Sequence, residues 1–123
     1  MFSKGDILEA SKRLRSEGLH YIIYYSEHSN DHFIGGMITS SKDYENIAME
    51  QSHFKNRDEN QKQYKITYKD SYLVKAKLVK PDNWGPFKKV GALTPEGIGF
   101  VTKEIEHLDE MTFDEYKNRE HSS

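Results

Sequence analysis

The chain has 123 residues, the length of one domain and too short for two independent cores. Apolar residues make up 35% and charged residues 31%, yet 8 Tyr, 6 Phe and 1 Trp supply core area that disordered chains lack. With no Cys, a disulfide framework, a thiolate nucleophile and a cysteine zinc site are excluded and a reducing, cytoplasmic compartment is expected, while the net charge of -2 taken alone argues against a nucleic-acid binder.

The charge is unevenly spread. Residues 1–102 carry 15 Lys+Arg against 13 Asp+Glu, whereas residues 103–123 carry 3 against 7, so a mildly basic body is followed by an acidic end. The N-terminus has no apolar stretch of signal-peptide length, and no segment approaches the roughly 20 apolar residues of a membrane span. Neither a leader nor a membrane association is expected.

In chain order, Gly5 to Glu9 reads as a first strand, and the charged stretch Ser11–Glu17 as a loop closed by Gly18. His20–Tyr25 is the strongest strand signal, apolar nearly throughout and therefore central in its sheet. A polar turn over Ser26–Asp31 leads into a third strand, His32–Thr39, whose Gly35-Gly36 pair predicts a bulge or a close backbone approach. After a loop to Asn46, a short strand is expected over Met49–Phe54, then a flexible hydrophilic excursion over Lys55–Lys62. Tyr64–Tyr68 and Tyr72–Val79 both alternate, and Lys69-Asp70-Ser71 between them predicts a hairpin.

Pro81–Pro86, with Trp84 inside it, reads as a constrained loop, and Phe87–Val90 returns to the sheet. Thr94 and Pro95 have the residue types of an N-cap and a first helical position, and Ile98, Val101, Ile105 and Leu108 then form one apolar stripe. Thr112–Tyr116 can begin a second short helix, with the end from Lys117 to Ser123 frayed. The organisation is therefore mainly β with a C-terminal helix: one domain over residues 1–108 and an acidic tail, partly helical or frayed, over 109–123.

Standard cofactor and nucleophile signatures are absent, which leaves histidine as the side chain suited to proton transfer near neutral pH. His28 and His32 flank a turn without the helical spacing that presents two metal ligands together, so no metal site and no cofactor are expected. His20 and Thr39 are the more informative pair. If their strands form an antiparallel hairpin, the start of one meets the end of the other, and an imidazole and a hydroxyl there are enough for metal-free RNA cleavage. The competing reading is purely structural, with His20 at a strand start and Thr39-Ser40-Ser41 hydrogen-bonding a loop. His53 alternates with its neighbours toward the same side, Lys55, Arg57 and Lys62 form a basic run able to meet phosphates, and Ser40 extends the hydroxyl pair.

The ordered segments Lys4-Gly5-Asp6-Ile7, Ile38-Thr39-Ser40 and Lys89-Val90-Gly91-Ala92-Leu93, with the strands between them, resemble the MazF/PemK/Kid-like toxins over most of residues 4–106. The resemblance implies a small SH3-like β-barrel, a homodimer, and a metal-independent endoribonuclease of a toxin–antitoxin system acting on single-stranded RNA with an antitoxin protein as partner. It implies catalysis at Thr39, with His20 in Leu19-His20-Tyr21 standing where that family carries arginine; Ser40, His53, Lys55 and Arg57 are the peripheral RNA-binding candidates read from the residues themselves. Two other functions are compatible with the same barrel: a non-catalytic module that binds nucleic acid or protein, and a topoisomerase poison of the CcdB kind acting through its C-terminal helix.

Overall fold

A computed structural model of the chain describes residues 2–10, 21–40, 45–66, 71–81 and 86–121. Seven strands run in the order β1 (Asp6–Ala10), β2 (Tyr21–Ser29), β3 (His32–Thr39), β4 (Ile47–Ala48), β5 (Tyr72–Pro81), β6 (Phe87–Ala92) and β7 (Glu110–Thr112). Helix α1 (Pro95–Ile105) separates β6 from β7, and α2 (Phe113–His121) follows β7 directly. The sheet order is β4-β5-β3-β2-β1-β6, antiparallel throughout, with β7 added parallel to β5. The fold is mainly β, and among the described residues the sheet does not close on itself.

β3 sits at the centre, and every residue from Phe33 to Ile38 is buried. Side chains alternate across a strand, so burial of consecutive residues means that both faces are covered. On one face Ile34 and Ile38 join Ile7, Ile23, Tyr25, Leu73 and Val90 beneath Val101 and Ile105 of α1. On the other, Met37 meets Val74, Ala76 and Leu78 under Met111, Phe113 and Tyr116. Beside that second layer, Phe33 packs with Leu8 and Ile22 against Phe2, Tyr24 and Phe87. The Gly35-Gly36 pair has the predicted character: the β3–β5 register shifts between Gly35 and Met37. A Cβ on Gly35 would come within 2.9 Å of Ile22 and 3.1 Å of the Ile23 carbonyl.

α1 begins as its residues predict. Thr94 caps it, its Oγ1 accepting from the Gly97 amide at 3.1 Å and donating to the Ser52 carbonyl at 2.6 Å, and Pro95 occupies the first turn. α2 opens on a reciprocal capping box: the Thr112 amide donates to Glu115 at 2.9 Å and the Glu115 amide to Thr112 Oγ1 at 3.1 Å. The helix reaches His121, beyond the Lys117 at which fraying was expected.

Three expectations give way. The strand over Met49–Phe54 is replaced by the two-residue β4 and a 3₁₀ turn, Gln51–His53, because His53 Nδ1 accepts the Glu50 amide at 3.0 Å and curls the backbone. The Lys55–Lys62 excursion is a hydrogen-bonded turn: the Asp58 carboxylate accepts the Asn60 and Lys62 amides at 2.8 and 2.9 Å, and Arg57 pairs with Gln63. Among the described residues, Tyr64–Ile66 and Tyr72–Val79 do not pair with each other as the expected hairpin. β5 pairs with β3, β4 and β7, while Tyr64–Ile66 lies beside β6 through the Ile66 amide and the Val90 carbonyl at 3.0 Å. Thr67 to Asp70, like His20 and Trp84, lie outside the described residues.

The 3₁₀ turn also touches the far end of the sheet. Phe54 bridges Leu93, the Lys55 amide donates to Ala92 at 2.9 Å, and the Thr94 amide donates to His53 at 3.0 Å. α1 is thereby pressed onto that turn, and a Cβ on Gly97 would lie 2.2 Å from the His53 carbonyl oxygen, whereas nothing lies within 4 Å of one on Gly99. Gly97→Ala is expected to destabilise the fold by about 2 kcal/mol or more through overpacking. Gly99→Ala is expected to stabilise it by about 0.5–1 kcal/mol through helix propensity. Urea unfolding of the two variants beside the parent checks the opposite signs.

Candidate functional site at the sheet end

The β2–β3 hairpin is antiparallel and Tyr21 pairs with Ile38, so β2 starts where β3 ends. His20 itself lies outside the described residues. Across β3, Thr39 pairs with Tyr72, and Tyr72 in turn with Ala48. On the other side of β2, Ile22 pairs with Leu8 and Glu9 with Lys88. One end of the sheet thus presents, strand by strand, Tyr72, Thr39, Tyr21, Glu9 and Lys88.

This rim has two sides. Thr39 and Tyr72 are directly opposed and share a face, which sets their Cβ atoms about 5 Å apart. Both are half-buried, and Ser40 beyond them is exposed. Tyr21 packs toward the α1 face. There Lys65 Nζ donates to Glu9 at 3.3 Å and lies 5.9 Å from the Tyr21 ring centroid. The Glu9 hydrogen bond, helped by the nearby Tyr21 and Glu9 oxygens, raises the Lys65 pKa and keeps it cationic. Lys89 lies 3.1 Å from Asp6 and over the Tyr64 ring at 5.9 Å. Burial opposes its charge, yet the Asp6 contacts outweigh burial and its pKa is raised too.

The other residues singled out in the sequence are spread over different parts of the molecule. His53 is 6% exposed, stacked on Phe100 at a centroid distance of 4.4 Å, with Nδ1 occupied by the Glu50 amide. It serves the junction between the 3₁₀ turn and α1 and does not face the rim. Lys55 is exposed beside the end of β6. Arg57 is exposed and donates to the Gln61 carbonyl at 3.0 Å within its own turn. Tyr72, Tyr21, Lys65 and Lys88 complete the rim and were not singled out. Tyr72 and Lys65 belong to the segments whose alternation suggested a hairpin with each other, and their true neighbours become visible only through the β3–β5 and β1–β6 pairings.

A separate polar cluster joins β2 to α1. The Tyr25 hydroxyl donates to the Glu106 carboxylate and lies 3.3 Å from Thr102 Oγ1, with Lys4 Nζ 4.3 Å over the ring. Tyr25 is 4% exposed, and its hydroxyl has no evident path to a substrate. Among the described residues no group of three or more His, Asp or Glu is placed to hold a metal ion, and no helix is long and apolar enough to cross a membrane. Comparison with models of protein families, with characterised proteins and with solved structures returns no match.

The Tyr25–Glu106 contact has a pH signature. Burial, then the Glu106 hydrogen bond, raises the Tyr25 pKa above 10.0, and the Tyr25 hydrogen bond lowers that of Glu106 below 4.5. The tyrosine contribution is complete below its unfolded pKa and fades as pH rises through the folded one. The carboxylate contribution is complete above its unfolded pKa and fades as pH falls through the folded one. Tyr25→Phe should therefore unfold at lower urea than the parent across neutral pH, with the gap closing below about pH 4 and above about pH 10. A constant gap from pH 3 to 11 would remove the coupling.

Proposed function

We propose that the chain is a single-stranded RNA endoribonuclease of the MazF/PemK/Kid-like kind, built on an SH3-like barrel, working without a metal as a cytoplasmic homodimer restrained by an antitoxin protein. The observation that carries this reading is the register at the sheet end, where Thr39 lies directly across from Tyr72 and beside the start of β2. The barrel reading is supported by the Phe54–Leu93 bridge, which brings the chain after β4 to the end of β6.

In the proposed reaction a general base takes the proton of a ribose 2′-hydroxyl, and the 2′-oxygen attacks the adjacent phosphorus. The bond to the 5′-oxygen breaks, leaving a 2′,3′-cyclic phosphate and a 5′-hydroxyl that collects the proton. Thr39 donates to a non-bridging phosphoryl oxygen, where negative charge grows. His20 is the proposed base, since imidazole exchanges protons near neutral pH. Tyr72 offers a ring on which an unpaired base can stack, and Lys65 and Lys88 attract the flanking phosphates.

One observation favours a second reading, a non-catalytic RNA-binding module. Arg57, the one arginine whose side chain is described, is tied to its own turn, and the described cations of the rim are lysines, which lack the planar fork that clamps a phosphate. A labelled single-stranded RNA incubated with the purified chain in excess EDTA separates the readings. Cleavage to cyclic-phosphate ends is expected, with Thr39→Val at least about a hundredfold slower. Tyr72→Ala should weaken RNA binding by about 1–3 kcal/mol while Tyr72→Phe retains it. Binding without cleavage would replace the enzyme by the module, and no binding would end both.

A further inference from the structure

At the opposite end of β3 a shallow, open groove of about 240 Å³ is lined by His32, Val79, Pro81, Thr112, Phe113 and Asp114. We propose that this groove receives the guanidinium of an arginine side chain carried by a partner polypeptide. The inference is independent of the RNA reading and concerns a different part of the molecule, since the full length of β3 lies between His32 and Thr39, about 23 Å at ~3.3 Å per residue.

The polar groups of the groove select the ligand. His32 Nδ1 lies 2.8 Å from the Asp31 carboxylate. An ionised carboxylate only accepts, so the Nδ1 proton is committed to Asp31, which fixes the imidazole beside the groove. The Asp31 pKa is lowered, first by that bond and then by Ser29, which keeps the carboxylate in its accepting form. Asp114 is exposed and supplies a carboxylate acceptor at the groove. Thr112 Oγ1 is engaged by the Glu115 amide. The floor between these groups is apolar, formed by Val79, Pro81 and the Phe113 ring. A carboxylate beside an aromatic and aliphatic floor fits a planar group with only donors, and guanidinium is the protein group of that description.

The surrounding charge agrees. Asp31, Glu110, Asp114 and Glu115 border the groove or the residues lining it, and His28 faces Glu110 at 3.8 Å. The described amines at this end are Lys80, fully buried with its Nζ 4.6 Å from the Phe113 ring centroid, and Lys77, which pairs with Glu110 across β5 and β7 and donates to the Glu106 carbonyl at 3.3 Å. A phosphate or carboxylate would meet four carboxylates here, whereas a cation is drawn in. A polypeptide source is favoured by β7. Among the described residues β7 pairs only with β5, so an extended segment can lie along its other edge and set one side chain into the groove.

The test uses the full chain, labelled with ¹⁵N, and a capped Ala-Arg-Ala peptide, its neutral citrulline counterpart, its lysine counterpart and free methylguanidinium. The arginine peptide should shift the amide signals of His32, Thr112, Phe113 and Asp114 saturably. The citrulline peptide should bind at least about tenfold more weakly, the lysine peptide should be intermediate, and methylguanidinium should bind more weakly than the arginine peptide. Asp114→Asn, an exposed isosteric change that leaves the rest of the spectrum in place, should weaken the arginine peptide about tenfold. Equal binding of the arginine and citrulline peptides, or an unchanged affinity in Asp114→Asn, would overturn the proposal. Methylguanidinium binding as tightly as the peptide would overturn the polypeptide assignment.

Discussion

The rest of the structure depends on burial of β3 from both sides. A strand whose residues from Phe33 to Ile38 are all withdrawn from water needs one cover for each face. α1 supplies the first. The second is supplied by Met111, Phe113 and Tyr116 together with the aromatic group of Phe2, Tyr24 and Phe87. Each large apolar side chain so placed contributes about 1.5–3 kcal/mol, which explains why a chain this polar can fold around a narrow core. It also explains the structure of the acidic C-terminal region, whose three apolar side chains on β7 and α2 cover Met37, Val74, Ala76 and Leu78. Its carboxylates can then remain on the outside.

With the centre of β3 occupied by packing, chemistry is left to its two ends. Thr39 belongs to a rim of hydroxyls, rings and lysines, and His32 to an acceptor-rich groove. The two ends differ in charge. At the rim Lys65 is held cationic by Glu9, and next to Lys88 on β6 Lys89 is held so by Asp6, whereas carboxylates crowd the groove. A single strand thus separates a place suited to a polyanion from one suited to a cation.

Much of this order was legible in the sequence, and the failures have physical causes. Continuous apolarity marked β2, the glycine pair marked the bulge in β3, and Thr94-Pro95 marked the start of α1. These signals are local, since each depends on residues a few positions apart. The hairpin expected between Tyr64–Tyr68 and Tyr72–Val79 was misleading because alternation shows that a strand has two faces without showing which strand lies beside it. β5 instead pairs with β3, more than thirty positions earlier in the chain. His53 was misread for a related reason. Its alternation with Ser52 and Phe54 looked like an exposed strand, but its ring nitrogen accepts a backbone amide and turns the chain. Thr39 was visible because its strand ended on hydroxyl residues, while Tyr72, Lys65 and Lys88 join it only through pairings distant in sequence.

The central claim is that the sheet end around Thr39 is the surface that meets RNA. Photocrosslinking of the full chain to a single-stranded RNA carrying 4-thiouridine, followed by mass spectrometry of the attached peptides, tests it most directly. The account predicts crosslinks concentrated on the peptides containing Tyr72 and Tyr21, with Thr39-Ser40 next, and competition by unlabelled RNA. Crosslinks confined to α1, or to the carboxylate-lined groove at His32 and Asp114, would contradict it.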